Sequence, residues 1–170
     1  MSSIEITRAL SAACEKHLRE DFVPWIKRCL GLLTEEEIWR RPNAETVSVG
    51  NLVLHLCGNV RQWIITGIGG APDSRRRDEE FTERGPIPTT DLIEKLEATV
   101  TEAIEVIRRV TPEELLRRRA VQRYEQTGME ILVHVVEHFS YHTGQISLHA
   151  KIIKGVDLNH YPDLKRGVEP

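Results

Sequence analysis

The sequence predicts an all-α fold, a single four-helix bundle running up-down-down-up with a long crossover between the second and third long helices. Three observations predict it. First, capping boxes, in which a Ser, Thr or Asp is followed three residues later by Glu, recur at Ser2/Glu5, Thr34/Glu37, Asp91/Glu94, Thr111/Glu114 and Thr127/Glu130. Second, four long helical segments fill most of the 170 residues, a length suited to one domain over 1–170. Third, the connection at 70–88 is too long for a tight turn between antiparallel neighbours, so it lets helices 2 and 3 run in the same direction.

Taken in order, the first helix runs from about Ser3 to Leu33, with a kink or break expected at Pro24, whose ring does not fit a helix interior. A short helical piece covers Glu35 to Trp39, and Arg41-Pro42-Asn43 ends it. Ser48 is placed as the N-cap of helix 2, which reaches Gly67 and is stopped by Gly67, Gly69, Gly70 and Pro72. Helix 3 spans about Asp91 to Arg109. Pro112 after Thr111 marks another helix start, since proline at the first helical position loses only an N–H that would be unpaired anyway. Helix 4 runs from Gly128 to Lys154 and ends at Gly155.

Composition narrows the partners. With a formal net charge of -3 the chain lacks the basic excess of a nucleic-acid surface, so no nucleic acid is expected. Arg75, Arg76 and Arg77 are followed by Asp78, Glu79 and Glu80, while Arg117, Arg118 and Arg119 follow Glu113 and Glu114; both stretches read as solvated, self-neutralising surface. No apolar run is long enough to span a membrane, and charges sit where a signal peptide would have its apolar region, so a cytoplasmic protein without membrane contact is expected. Cys14, Cys29 and Cys57 form no CxxC motif and read as buried reduced thiols. On a helix Cys57 points about 200° away from His55, out of its ligand direction.

The chemistry concentrates in helix 4. At about 100° per residue, Ile131, His134, His138, His142, Gln145 and His149 lie close to one line, a polar stripe on a mostly apolar helix. Two histidines four residues apart can aim their nitrogens at one metal ion. His134/His138 and His138/His142 both qualify, yet His134 and His142 stand about 12 Å apart along the axis, too far to share an ion comfortably. His149 lies beyond reach and reads as a core or surface histidine. Periodicity alone puts His55 on the flank of helix 2 with Asn59 and Gln62, beside the apolar stripe of Val49, Val53, Leu56, Val60 and Trp63.

A rival pattern is His134-Val-Val-Glu137-His138, which matches the inverted zinc-protease motif and would make Glu137 a general base. Few residues follow it, and the sole later glutamate, Glu169, sits in the terminal tail, so a carboxylate ligand and a cleft are hard to supply.

With these residues in view, the chain resembles the DinB/YfiT-like family of metalloenzymes, four-helix bundles with three histidine ligands. The resemblance covers nearly the whole chain. Its most specific part is His138-Phe-Ser-Tyr-His142-Thr-Gly144-Gln145-Ile146, and the second is Ser48-Val-Gly-Asn-Leu-Val-Leu-His55. Trp39-Arg-Arg-Pro42 and the loop ending Glu79-Glu80-Phe81 are similar to one branch of the family. The resemblance implies the same up-down-down-up topology and a metal site of His55, His138 and His142, with His134 and His149 only as neighbours.

Three neutral imidazoles would leave one divalent ion, zinc or nickel, with its full charge and an open coordination position. Relatives in the family include transferases that use low-molecular-weight thiols such as bacillithiol or mycothiol. The resemblance therefore implies a thiol S-transferase acting on a small-molecule substrate. Metal-assisted hydrolysis is the alternative, and a non-enzymatic metal- or ligand-binding module the third reading. No general acid or base stands out. Tyr141 and Gln145 are candidates to orient a bound molecule, or simply pack between helices, and Gly144 is expected to permit close helix approach. Finally, Leu54 and Ile65 lie opposite the core stripe of helix 2, and the charged loop at 70–88 would cover them poorly, which predicts a twofold homodimer.

Overall fold

Ser2 accepts a hydrogen bond from the Glu5 N–H while the Glu5 carboxylate accepts one from the Ser2 N–H at 2.6 Å, so the chain turns helical where its first capping box predicts. The computed structural model of the chain describes residues 2–161. Helix α1 spans Ser3–Glu15, a π-helical stretch Lys16–Phe22 follows, and α2 spans Val23–Leu32. Of the kink or break expected near Pro24, the break does not occur. The Val23 N–H instead reaches five residues back to the Leu18 carbonyl. This wider turn rearranges the hydrogen-bond ladder just before the residue that has no N–H to offer, and the helical path continues.

Thr34 and Glu37 cap the short α3, Glu35–Trp39. Ser48 caps α4, Val49–Val60, with Asn51 as the reciprocal partner, and a π-helical stretch Arg61–Thr66 extends it to Gly67. The crossover contains a short helix not expected from sequence, α5, Arg77–Thr82. Helix α6, Thr89–Ile107, starts two residues ahead of the expected Asp91 cap. Pro88 precedes it, and Asp91 falls in the first turn, where a carboxylate faces the positive end of the helix dipole. Thr111 caps α7, Pro112–Leu116.

Strands β1, Arg118–Val121, and β2, Tyr124–Thr127, then form an antiparallel hairpin, the one departure from an all-α chain among the described residues. Its turn is Gln122-Arg123, with Gln122 at φ 55, and lacks the Asn-Gly or Asp-Gly pair that announces such a turn. Helix α8, Gly128–Lys154, opens on the Thr127/Glu130 box and ends at Gly155, whose φ of 64 suits glycine.

Helix α4 is the central element, packed on α6, α8 and the crossover helix α5. Arg61 pairs with Glu102 at 2.7 Å, and the Gly69 turn meets Val106, so α4 and α6 run in the same direction. Against α8 the order reverses, with His55 beside His138 and Trp63 beside His134. Val49, Val53, Leu56, Val60, Ile104, Ile131 and Phe139 are among the side chains sealed between these helices, and each such burial contributes about 1.5–3 kcal/mol. The second apolar face of helix 2 is partly covered. Ile65 is 2% exposed, and Leu54 is half-buried beside the crossover, so part of the apolar face on which the homodimer was expected to form is covered within the chain. No helix among the described residues is long and apolar enough to cross a membrane.

Candidate metal centre

His55 projects from the middle of α4, and His138 and His142 project one turn apart from the middle of α8. The antiparallel approach of these helices brings one ring nitrogen of each to within 4.8 Å of the others. The His55 and His138 Nε2 atoms are 3.1 Å apart. Two nitrogens each about 2.0–2.1 Å from one ion would be separated by roughly this distance.

The opposite nitrogens explain the ring orientations. His142 donates its Nδ1–H to the Gln145 Oε1 at 2.6 Å, leaving Nε2 with its lone pair. The His55 Nδ1 lies 2.9 Å from the Glu80 Oε2. His138 differs, because its Nδ1 is buried and has no hydrogen-bond partner among the described residues. The donor set is therefore three imidazoles, two of them braced by side-chain oxygens, which fits a divalent borderline metal ion.

Glu80 comes from α5, and the fold goes to some length to hold it there. The Asn51 amide donates to the carbonyls of Glu80 at 2.9 Å and Glu83 at 3.0 Å, and the Arg41 guanidinium donates to the Phe81 carbonyl at 2.6 Å. Arg75 grips the carboxylate from the far side, with Nε 2.7 Å from Oε1 and Nη2 2.8 Å from Oε2. Gly58 makes room, since a Cβ there would sit 1.9 Å from the Glu80 Oε1. Phe81 packs on the His55 ring at 4.7 Å.

Electrostatics favour the neutral form of His138 and His142. Burial, reinforced by His142, His55, His134 and Arg75, pushes His138 down to about 3. His142 is lowered chiefly by burial, partly opposed by its bond to Gln145. Burial raises the Glu80 carboxyl, but the Arg75 and His55 hydrogen bonds outweigh it and hold Glu80 below the usual carboxylate range. Cys57, pushed up to about 12 by burial, stays a thiol and outside the cluster.

The structure therefore gathers His55, His138 and His142 into one group, and separates the other sequence candidates from it. His134 packs against Trp63 with the ring centroids 4.2 Å apart and the planes tilted by 44°, one turn off. Glu137 is exposed and lines a different cavity with Leu10, Cys14 and His17, so it is no base for a His134/His138 ion. Glu169 lies outside the described residues. His149 is not in the group. Tyr141 stands exposed at the rim, its ring 5.0 Å from His142. Gly144 has open space where a Cβ would be, so it serves no close helix approach. Gln145 acts on His142 itself.

Glu80 and Arg75 are what sequence reasoning missed. The stretch at 75–80 was expected to be solvated, yet the Arg75 and Glu80 side chains are 3% and 9% exposed, while Arg76 and Glu79 pair at the surface. The signal was the length of the connection, which exceeds what a crossover between packed helices needs.

Comparison with known proteins agrees with the fold. The family model described as "Protein of unknown function (DUF1572)" matches residues 11–162. Among solved structures, a DinB-like protein from Bacillus cereus is similar in fold, with a TM-score of 0.62 at 16% identity over 82% of this chain and 89% of that one. A DinB-like protein from Bacillus subtilis gives a TM-score of 0.64 at 15% identity over 85% and 94%. No curated protein matches the sequence.

Proposed function

The chain belongs to the DUF1572 family of proteins of unknown function and has the DinB-like fold, and from that premise we propose that it is a metal-dependent enzyme that joins a low-molecular-weight thiol to an electrophilic small molecule. One observation carries the reading: three imidazole nitrogens converge within 4.8 Å, with the outer nitrogens of two of the rings held by side-chain oxygens. His55, His138 and His142 would hold one divalent ion, zinc or nickel. Bound there, it would supply Lewis acidity that ionises a thiol or a water near neutral pH. His142 keeps its proton on Nδ1 and its lone pair on Nε2, and the half-buried His138 stays neutral down to about 3, so neither competes with metal for protons at pH 7.

The surroundings favour thiol transfer over hydrolysis. Glu80 is the carboxylate that touches the cluster among the described residues, and it is spent on Arg75 and on the outer nitrogen of His55. Hydrolysis would need a free acid or base to shuttle protons to a leaving group. In thiol transfer the sulfhydryl proton passes to solvent, the sulfur forms a bond to the electrophilic carbon, and the leaving group departs with its electron pair. No further proton relay is required.

The test is loss of free thiol from bacillithiol, mycothiol or glutathione with a panel of alkyl and aryl halides. The zinc- or nickel-loaded protein should consume thiol at least about 10-fold faster than the metal-free protein, with stoichiometric halide release. Thiol loss no faster than the metal-free background, together with turnover of esters or amides by the loaded protein, would replace this reading with hydrolysis.

A further inference from the structure

The outer nitrogen of His55 faces two groups with opposite demands. Arg75 has only N–H donors, and its Nη2 lies 3.2 Å from the His55 Nδ1. If that contact governed, Nδ1 would carry the lone pair, the proton would sit on Nε2, and the nitrogen facing His138 could not bind a metal. The Glu80 Oε2, at 2.9 Å from the same atom, is an acceptor and demands a proton on Nδ1. The carboxylate is nearer, and its charge strengthens the bond it accepts.

We propose that Glu80, clamped by Arg75, is a positioning residue that fixes the His55 tautomer and thereby makes His55 a metal ligand. This rests on the metal reading above. Four features of the chain serve the arrangement. Arg75 neutralises the buried carboxylate through both oxygens, which keeps it ionised and fixes its plane. Gly58 leaves the space that the carboxylate fills. Asn51 and Arg41 pin the backbone of residues 80–83 against the start of α4. Phe81 closes over the ring. A polar side chain taken from a crossover and buried against a ligand is expensive unless it acts on that ligand, and the resemblance that implied the three histidines does not assign it. The crossover at 70–88 is thus part of the metal centre, and its length is what allows α5 to fold back onto α4.

Two readouts test the role. In metal-free protein with 15N-labelled histidine, long-range proton–nitrogen correlation should find the His55 proton on Nδ1 in the wild type and shifted toward Nε2 in Glu80→Ala. In competition with a chromophoric chelator, zinc affinity should fall about 10–100-fold in Glu80→Ala. Glu80→Gln, whose amide oxygen still accepts from Nδ1, should recover most of it. Leu96→Ala, a buried change on α6, controls for general destabilisation and should leave zinc affinity unchanged. A wild-type proton on Nε2, or Glu80→Ala binding within about threefold of wild type, overturns the positioning role while the metal site stands. Failure of wild-type protein to take up zinc overturns the metal reading and this role with it.

Discussion

His142→Ala is expected to lower zinc affinity by about 100-fold or more, whereas His134→Ala and Glu137→Ala leave it within a few-fold of wild type. The magnitude follows from structural zinc sites, where about 10–16 kcal/mol is shared among four ligands, or roughly 3 kcal/mol per ligand. The selectivity follows from geometry, since the His142 ring is 5.0 Å from that of His55 while His134 is turned to the Trp63 indole. The double variant His55→Ala/His142→Ala leaves a single imidazole of the group, so elemental analysis after reconstitution should find one ion per wild-type chain and essentially none in the double variant. The reverse order, with His134→Ala the more damaging, would move the site one turn toward the start of α8.

Much of this arrangement is written locally in the sequence, and what is not has an identifiable cause. Helix α8 is legible because its Thr127/Glu130 box, its histidine stripe and Gly155 all agree on one 27-residue element. Its periodicity fixes which side chains share a line, but not which of two His pairs meets a third ligand, because that choice depends on where α4 docks. His55 shows the same limit. The period of helix 2 puts it on a polar flank with Asn59 and Gln62, yet His55 and Asn59 are 5% and 4% exposed because α8 and α5 cover that flank. Arg75 and Glu80 look like any charged loop until α5 folds back, since a buried ion pair has no local pattern. The hairpin at 118–127 is hidden for another reason, its turn being made by Gln122 at positive φ rather than by glycine or asparagine.

Acidification should destabilise the metal-free protein well above the pH at which its carboxylates titrate. In the unfolded chain His138 takes up a proton near its ordinary 6.5, but in the folded chain burial, reinforced by the neighbouring His142, His55, His134 and Arg75, holds it down to about 3. The unfolded state therefore binds more protons than the native state between these values. Stability rises with pH across that window and levels off above 6.5. His142, lowered chiefly by burial, adds a change of the same sign. The expected loss between pH 7 and pH 4 is on the order of several kcal/mol. Urea unfolding of metal-free protein across that range measures it. In His138→Phe, which retains a ring of similar shape, the slope between pH 6.5 and 4 should flatten; an unchanged slope would mean that other groups carry the effect. Bound metal should steepen the acid dependence, because every ligand must be free of its proton on the coordinating nitrogen.

The central claim is that one ion is held by His55, His138 and His142 and by no sulfur or carboxylate of the chain. Zinc K-edge X-ray absorption of the stoichiometrically loaded protein tests it most directly. The prediction is a first shell of nitrogen or oxygen scatterers at about 2.0–2.1 Å, with multiple scattering from three imidazoles. A sulfur scatterer at about 2.3 Å in protein free of added thiol, or imidazole scattering that fits no more than two rings, would contradict it.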